Sequence, residues 1–555
     1  VQSNRIAGYT PSGRNGIRTG RWTLTASGSG SFTPVAESRF TETREQAGQP
    51  LPFAGRSDSK SRTNYGRGHF SAVFDPTPKH TAGFDIEYTE RSTHMPTLSR
   101  TTLGQTQSDS RYRQHMDGNT LTATANYIWK IDTLGSQFKL IADYTRYTSD
   151  GDNSYHTTTC APGTLRDSLY ESATGSVYDI LTADAGLTRK LPHGLTLRAG
   201  LRYTRNDMAD KSRYAAQTQG TWLALPKYSY DQHYTEQIGA AYASLEYSAG
   251  RWELSAGLRG EYTSVASQAF GRSYFGLFPN VSVSRALNAL RTWLLVAQWS
   301  RNIERPAFPA LNPARIRISD YSWQSGNPSL RPTYIHRFSL TAVWKYRYTL
   351  TVGGNLHHDL IREIAHRDAT APDAVYIRPE NHYTENHWFV AASVPAKITR
   401  WWNLSVNAVG VMQRIRLNST DSPATHYLMF ADATCSFTLP AGFFAEAVYR
   451  AQSRLYSGNS EVGPRHTLSA TVKKQLFGKR LTLFCTLSNI TGCDWEFASL
   501  TDGMRRTIDT GQAWSGRLWK VGAAWNFRTG KKFRARTVES AAETQRKRLV
   551  KSTEQ

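Results

Sequence analysis

Apolar and polar residues alternate one by one along much of this chain. Residues 194–205 place Leu195, Leu197, Ala199, Leu201 and Tyr203 on one face, and Thr196, Arg198, Gly200, Arg202 and Thr204 on the other. Residues 251–262 set Trp252, Leu254, Ala256, Leu258 and Tyr262 against Glu253, Ser255, Arg259 and Glu261. Residues 119–130 set Leu121, Ala123, Ala125, Tyr127 and Trp129 against Thr120, Thr122, Thr124 and Asn126. A period of two is the signature of a β-strand with two unlike faces.

A soluble β-sandwich alternates too, and connection lengths separate the two cases. The pattern predicts about twenty strands of roughly ten to thirteen residues, near the length that a tilted membrane-spanning strand needs. Between them, short and long connections take turns. The short ones fall at 75–79, 132–136, 191–194, 248–251, 286–290, 345–348, 396–400, 439–442 and 477–479. The long ones cover 34–65, 91–118, 148–177, 206–236, 263–273, 303–333, 359–385, 413–423, 454–462 and 493–510. A sandwich has no reason to keep that order. An outer-membrane barrel does, with tight periplasmic turns at one end and long extracellular loops at the other. The predicted fold is therefore all-β, a transmembrane antiparallel barrel of about 20–22 strands over residues 1–527, within the size range of known outer-membrane barrels. Charged residues inside the spans then face a polar lumen.

The last strand carries Trp519, Val521, Ala523, Trp525 and Phe527 on one face and ends in an aromatic. Counting back from Phe527 at the periplasmic side, the strand near Arg21 runs outward. Residues 1–20 should then hold a descending strand and a turn, and they read poorly as a strand. One or two strands are expected to be missing or frayed there. Residues 528–555 are expected to form a basic, solvated periplasmic tail.

Composition agrees with a barrel. Mean hydropathy is −0.52, and no run approaches the roughly 18–20 apolar residues of a spanning helix. The aromatic excess of 28 Tyr, 22 Phe and 15 Trp suits interfacial girdles. Net charge is +23, of which nine Lys/Arg and three Glu in 528–555 supply +6, leaving +17 for the rest. No recognised nucleic-acid motif accompanies it, so lumen walls and loops facing anionic lipid are the expected use of this charge, and nucleic acid is not an expected partner. The four cysteines (Cys160, Cys435, Cys485, Cys493) form no CxxC pair, which argues against zinc; a Cys485–Cys493 bridge is an open alternative. The chain opens on no signal peptide, so a processed, trimmed or partial sequence is expected.

Residues 301–332 contain Arg305-Pro306, then Leu311-Asn312-Pro313, then Gly326-Asn327-Pro328, Leu330 and Pro332. This double motif, between two strands, resembles that of the Bacteroidetes-type TonB-dependent receptor barrels, the outer membrane β-barrel protein family. The openings Phe278-Pro279-Asn280 and Trp401-Trp402-Asn403-Leu404, and Leu487-Ser488-Asn489-Ile490 before the last loop, agree with it. The resemblance implies a Gram-negative outer-membrane receptor that takes up a scarce solute such as a metal chelate, peptide or glycan. It also implies a lumen-filling plug domain in the same full-length chain, a TonB complex engaged through an N-terminal region, and surrounding lipid. No segment here reads as a plug, so the chain is expected to be the barrel portion of a longer transporter. A plug-less porin-like channel and a surface barrel that binds a partner through its loops are the alternatives.

Read from the residues alone, the motif is structural. Proline fixes φ and removes a donor, and Asn-Pro and Gly-Asn-Pro punctuate turns. These positions suit a compactly folded loop; direct solute contact is the alternative. Tyr321, Trp323, Tyr376 and Trp495 are aromatic ligand candidates in outer loops. Histidines 357, 358, 366, 382 and 387 gather near one loop, but His357 and His358 are strand neighbours and point to opposite faces. No metal site, cofactor or catalytic residue is expected. Arg198, Arg202 and Arg259 would line the lumen. Glu253 and Glu261 alternate with Arg259 on the same face, which favours ion pairing there over an anionic solute.

Overall fold

The computed structural model describes residues 11–32, 36–46, 48–268, 270–369, 371–512, 518–525 and 538–549. Phe527 and the first ten residues lie outside this set. The described residues form one 29-stranded sheet. Eight strands are outer segments: Ala36–Gln46, Thr221–Ala224, Arg315–Ser319, Ser322–Ser325, Leu455–Ser457, Ser460–Val462, Trp495–Thr501 and Met504–Gln512. The other twenty-one form an antiparallel wall, each hydrogen-bonded to the next, from Ser12–Thr19 to Leu518–Trp525.

Each of the nine predicted short connections falls at one end of this wall. The turns between Gln49–Thr77 and His80–Leu103, and between Leu439 and Phe443, are examples. Residues 11–20 supply the descending strand Ser12–Thr19, which pairs with Trp22–Phe32 through a turn at Gly20. Aromatic rings mark the same end. Trp22 stacks on Phe74 at 4.4 Å, Trp293 on Trp344 at 5.7 Å and Phe477 against Trp525 at 6.0 Å. This is the periplasmic girdle, where rings with an apolar body suit the lipid–water boundary.

The predicted faces hold. Leu197, Leu201, Tyr203, Trp252, Leu258, Tyr262, Tyr127 and Trp129 are exposed on the outside, as lipid-facing groups must be. Thr196, Thr204, Glu261, Thr122, Thr124 and Asn126 are buried inside. The lumen arginines pair with acids of the wall itself. Arg202 donates to Asp184 at 2.7 Å and Arg198 to Glu246 at 3.1 Å, and Arg259 bonds Glu261.

The long connections differ from expectation. Most are not loops. Gln49–Thr77, His80–Leu103, Thr106–Lys130, Gln137–Ala161, Thr164–Lys190 and Ala371–Lys397 are single strands of 24 to 29 residues. About ten residues of each suffice to cross the bilayer, so the remainder stands above it as hairpins. There the outer face meets water while much of the inner face is buried, and the register is held by polar ladders: Ser59 to Thr97 at 2.7 Å and Ser110 to Thr157 at 2.9 Å on the buried face, and Arg100 to Asp109 at 2.6 Å on the exposed one. The C-terminal segment differs as well. Residues 538–549 are not a solvated end, because Ala542 and Arg548 are buried against the inner wall.

Leu201 lies six residues above the periplasmic turn on the lipid face and is 65% exposed. Leu201→Arg is expected to destabilise the barrel by about 2–4 kcal/mol, the cost of arginine near the bilayer midplane. Denaturant unfolding in vesicles would measure it, with a change within error marking that face as not lipid-facing.

Candidate functional site

One long connection does fold as an irregular segment, and it folds inward. Residues 305–332 leave the strand Trp293–Glu304 and return to its neighbour Thr333–Trp344. Between those points the segment crosses the mouth of the lumen and touches much of the ring.

Its root is Arg305. The guanidinium donates to Glu261 at 2.7 Å and Thr263 at 2.9 Å, and lies 3.9 Å from Glu236. All three charged side chains are nearly excluded from solvent. Such an arrangement is tolerable because each charge has opposite partners; removing one partner strands the other in a dry site. Next comes the turn Phe308–Leu311, entered through Pro309. Phe308, Leu311 and Leu330 pack with Tyr178, Ile180, Met208, Tyr234 and Val265 of the inner wall. This apolar cluster glues the segment to the lumen face.

The two halves of the sequence motif clasp each other. The Gly326 amide donates to the Asn312 carbonyl at 3.0 Å, and the Asn327 amide to the Ala310 carbonyl at 2.7 Å. A Cβ on residue 326 would sit 2.1 Å from the Asn312 carbonyl oxygen, so only glycine fits this approach. Asn312 caps its own turn through Ala314 and donates to Asp210 at 3.0 Å. Asn327 caps Ser329 and donates to the Pro379 carbonyl at 3.0 Å. Pro306 and Pro332 are buried, Pro313 and Pro328 half-buried. The segment's far end reaches the distant strands Thr106–Lys130 and Gln137–Ala161, where Asp320 accepts from Ser110, Tyr112 and Thr157 and pairs with Arg317 at 2.6 Å.

Of the aromatic candidates, three come together. Trp323 sits beside Tyr376 in the parallel pairing of Ser322–Ser325 with Val375–Ile377, and Tyr321 lies at the start of the same turn. Trp323 lies between the guanidiniums of Arg315 and Arg317, at 4.7 and 5.1 Å. Tyr376 stacks on His366, and Tyr321 meets Phe53 edge-on. Trp495 is elsewhere, on the hairpin with Met504–Gln512, against Arg465 and Phe497. The histidines do not converge on a metal: among the described residues, no group of three or more His, Cys, Asp or Glu is placed to hold one. Glu385 organises several of them, accepting from Arg362, His387 and Gln413 at 2.8–2.9 Å. All four cysteines are free.

The segment also meets the seam of the sheet. Above the first and last wall strands, Ala36–Gln46 pairs with Met504–Gln512. Glu42 there is held between Arg506 at 2.8 Å and Arg44 at 2.9 Å, and Arg506 reaches Ser322 of the inward segment at 2.6 Å. Arg44 lies over the Phe53 ring and bonds the Asp373 carbonyl. Burial works to raise the Glu42 carboxyl, but the two guanidiniums outweigh it and hold it below the usual carboxylate range.

The sequence singled out Arg305 and the motif but missed Glu236, Asp210 and Asp320. Glu236 and Asp210 fall in 206–236, taken for a loop. The alternation Tyr234, Glu236, Ile238 continues the inner face and was the available signal.

The chain matches the family model described as the outer membrane protein beta-barrel family over residues 129–518, more than half its length. No curated protein sequence matches. Among solved structures, the copper transporter OprC is similar at 10% identity, covering 92% of this chain and 81% of that one, with a TM-score of 0.52. The siderophore receptor PirA from Acinetobacter baumannii has 12% identity, 92% and 81% coverage and a TM-score of 0.50. The ferric-catecholate import receptor Fiu from E. coli K12 has 8% identity, 86% and 81% coverage and a TM-score of 0.50. At these identities the likeness is one of fold.

Two outcomes are expected. Gly326→Ala should force the clasp apart, raising protease cleavage within 305–332 while the wall stays folded; unchanged cleavage would mean that the clasp does not hold the segment. At the seam, a depressed carboxylate stabilises fully above its unfolded pKa of about 4.3 and loses that contribution as pH falls through the folded value. Protection of residues 504–512 against hydrogen exchange, taken relative to the intrinsic rate at each pH, should thus be high at pH 7 and fall as the pH drops below the usual carboxylate range. Arg506→Ala should give fast exchange already at neutral pH.

Proposed function

The chain belongs to the outer membrane protein β-barrel family, and we propose that it is the barrel of a TonB-dependent receptor that takes a scarce solute across the outer membrane. The observation that carries this is the inward segment 305–332, fixed at its root by Arg305 between Glu261 and Glu236 and at its far end by Asp320. A wall of twenty-one described strands turns a polar face inward. Closing its mouth with a firmly anchored segment suits selective uptake better than free diffusion. The double motif supports the Bacteroidetes-type branch of such receptors.

A metal chelate, a peptide or a glycan fits the mouth. The patch of Trp323, Tyr376 and Tyr321 offers aromatic faces beside Arg315 and Arg317, which suits a planar or anionic group. The known transport of metals by proteins of this fold, a copper transporter and a ferric-catecholate import receptor, favours the chelate. In this reading a plug domain gates the lumen, a TonB complex supplies the force, and the role is transport rather than catalysis.

Planar-bilayer recording tests it. The unaltered chain should show small or flickering conductance, and Arg305→Ala large and steady steps. The product of the whole gene should be silent. Large steady conductance from both the unaltered chain and the whole-gene product would replace this reading with an open porin-like channel.

A further inference from the structure

Residues 538–549 run along the inside of the wall as a defined strap. Glu539 pairs with Lys139 at 2.6 Å. The amides of Ala541 and Ala542 both donate to Asp143 Oδ2, at 2.7 and 3.1 Å. One helical turn, Glu543–Arg546, continues into a tighter turn, Lys547–Leu549. Lys547 and Glu543 pair with each other on the exposed side at 3.0 Å. The other side carries Gln545 and Arg548 into the wall. Arg548 donates through Nη1 to Glu236 at 2.5 Å and to Gln545 at 2.8 Å, and through Nε to the Pro306 carbonyl at 2.9 Å. Its guanidinium lies 4.2 Å from the centre of the Phe308 ring. Leu549 packs against the apolar cluster that holds the inward segment. Arg548 is 7% exposed, Glu236 2% and Asn206, which bonds both Glu236 and Gln545, 0%.

We propose that the inner wall carries a binding site for a basic peptide segment, and that the chain's own residues 538–549 fill it and thereby fasten the inward segment at its root. The site has the parts that peptide recognition requires. Asp143 reads two successive backbone amides, Glu236 reads one guanidinium, and the pocket beside Phe308 takes the following leucine. Arg548 is the centre, because its guanidinium bonds both the wall at Glu236 and the inward segment at Pro306 and lies over Phe308. A charged hydrogen bond in a dry site costs a great deal to break, because the partner left behind is a buried, unpaired charge. The proposal goes beyond the receptor reading and does not depend on which solute is carried. It does make the strap a competitor of any other lumen occupant that would use Glu236.

The test has two arms. In the first, the chain lacking residues 538–555 is refolded in detergent, its fold is checked by heat-modifiable gel mobility, and it is titrated with a labelled synthetic peptide of residues 538–555. Saturable binding is expected, weakened at least about tenfold by Arg548→Ala in the peptide, as loss of a charge-assisted bond predicts. Equal binding of the two peptides, or no saturable binding to the folded barrel, would overturn the proposal. In the second arm, the intact chain is digested with trypsin. Cleavage after Arg548 should be slow in the unaltered protein and fast in Glu236→Gln, with the barrel wall intact in both. Equally fast cleavage in the two would overturn the proposal without any need for the shortened chain to fold.

Discussion

A backbone amide in hydrocarbon has no water to bond, so every strand that crosses the bilayer must be paired on both sides. The rest of this structure depends on that constraint. It forces strand to follow strand in antiparallel order, and it fixes which residues face lipid and which face the lumen. It also makes the two ends of the wall the delicate place. Among the described residues the wall has twenty-one alternating strands, so Ser12–Thr19 and Leu518–Trp525 run in the same direction and are not antiparallel partners. Above them the sheet is joined in another way, by Ala36–Gln46 and Met504–Gln512 and the buried Glu42, Arg44 and Arg506.

Inside the wall a second constraint takes over. Charges turned away from lipid still need partners, because the inward segment and the C-terminal strap shut water out of the upper lumen. Acids of adjacent strands meet this need. Glu236 and Glu261 lie on neighbouring strands, and two arginines from distant parts of the chain, Arg305 and Arg548, settle on them. The apolar cluster around Phe308 then supplies what ion pairs do not, a net gain from burial.

How much of this was legible followed from where lipid lies. In the spans, one face meets hydrocarbon and the other a polar lumen, so residues 194–205 and 251–262 announce their strands and faces. The periplasmic turns were legible for the same reason, as brief breaks between two such runs. Above the bilayer no face meets hydrocarbon, and the buried inner face carries many polar residues of its own. Strands such as Gln137–Ala161 carry Ser, Thr, Asn and Asp on either side, and their upper parts read as loops. The anchors at Glu236 and Asp210 were hidden by that loss of contrast. Motif residues such as Gly326 and Asn312 stood out, yet nothing in their spacing says that they touch. The C-terminal strap was read as solvated because its charge is basic, and charge alone does not reveal that Arg548 has a buried acid waiting.

Both ends of the inward segment spring from strands that are bonded to each other along their whole length, Glu304 opposite Thr333. Its two tethers leave the wall at one spot, yet it is also tied to distant strands through Asp210, Asp320 and Pro379. The segment therefore couples strands of the wall that share no hydrogen bond with one another, so that a shift in one part of the wall is felt at another.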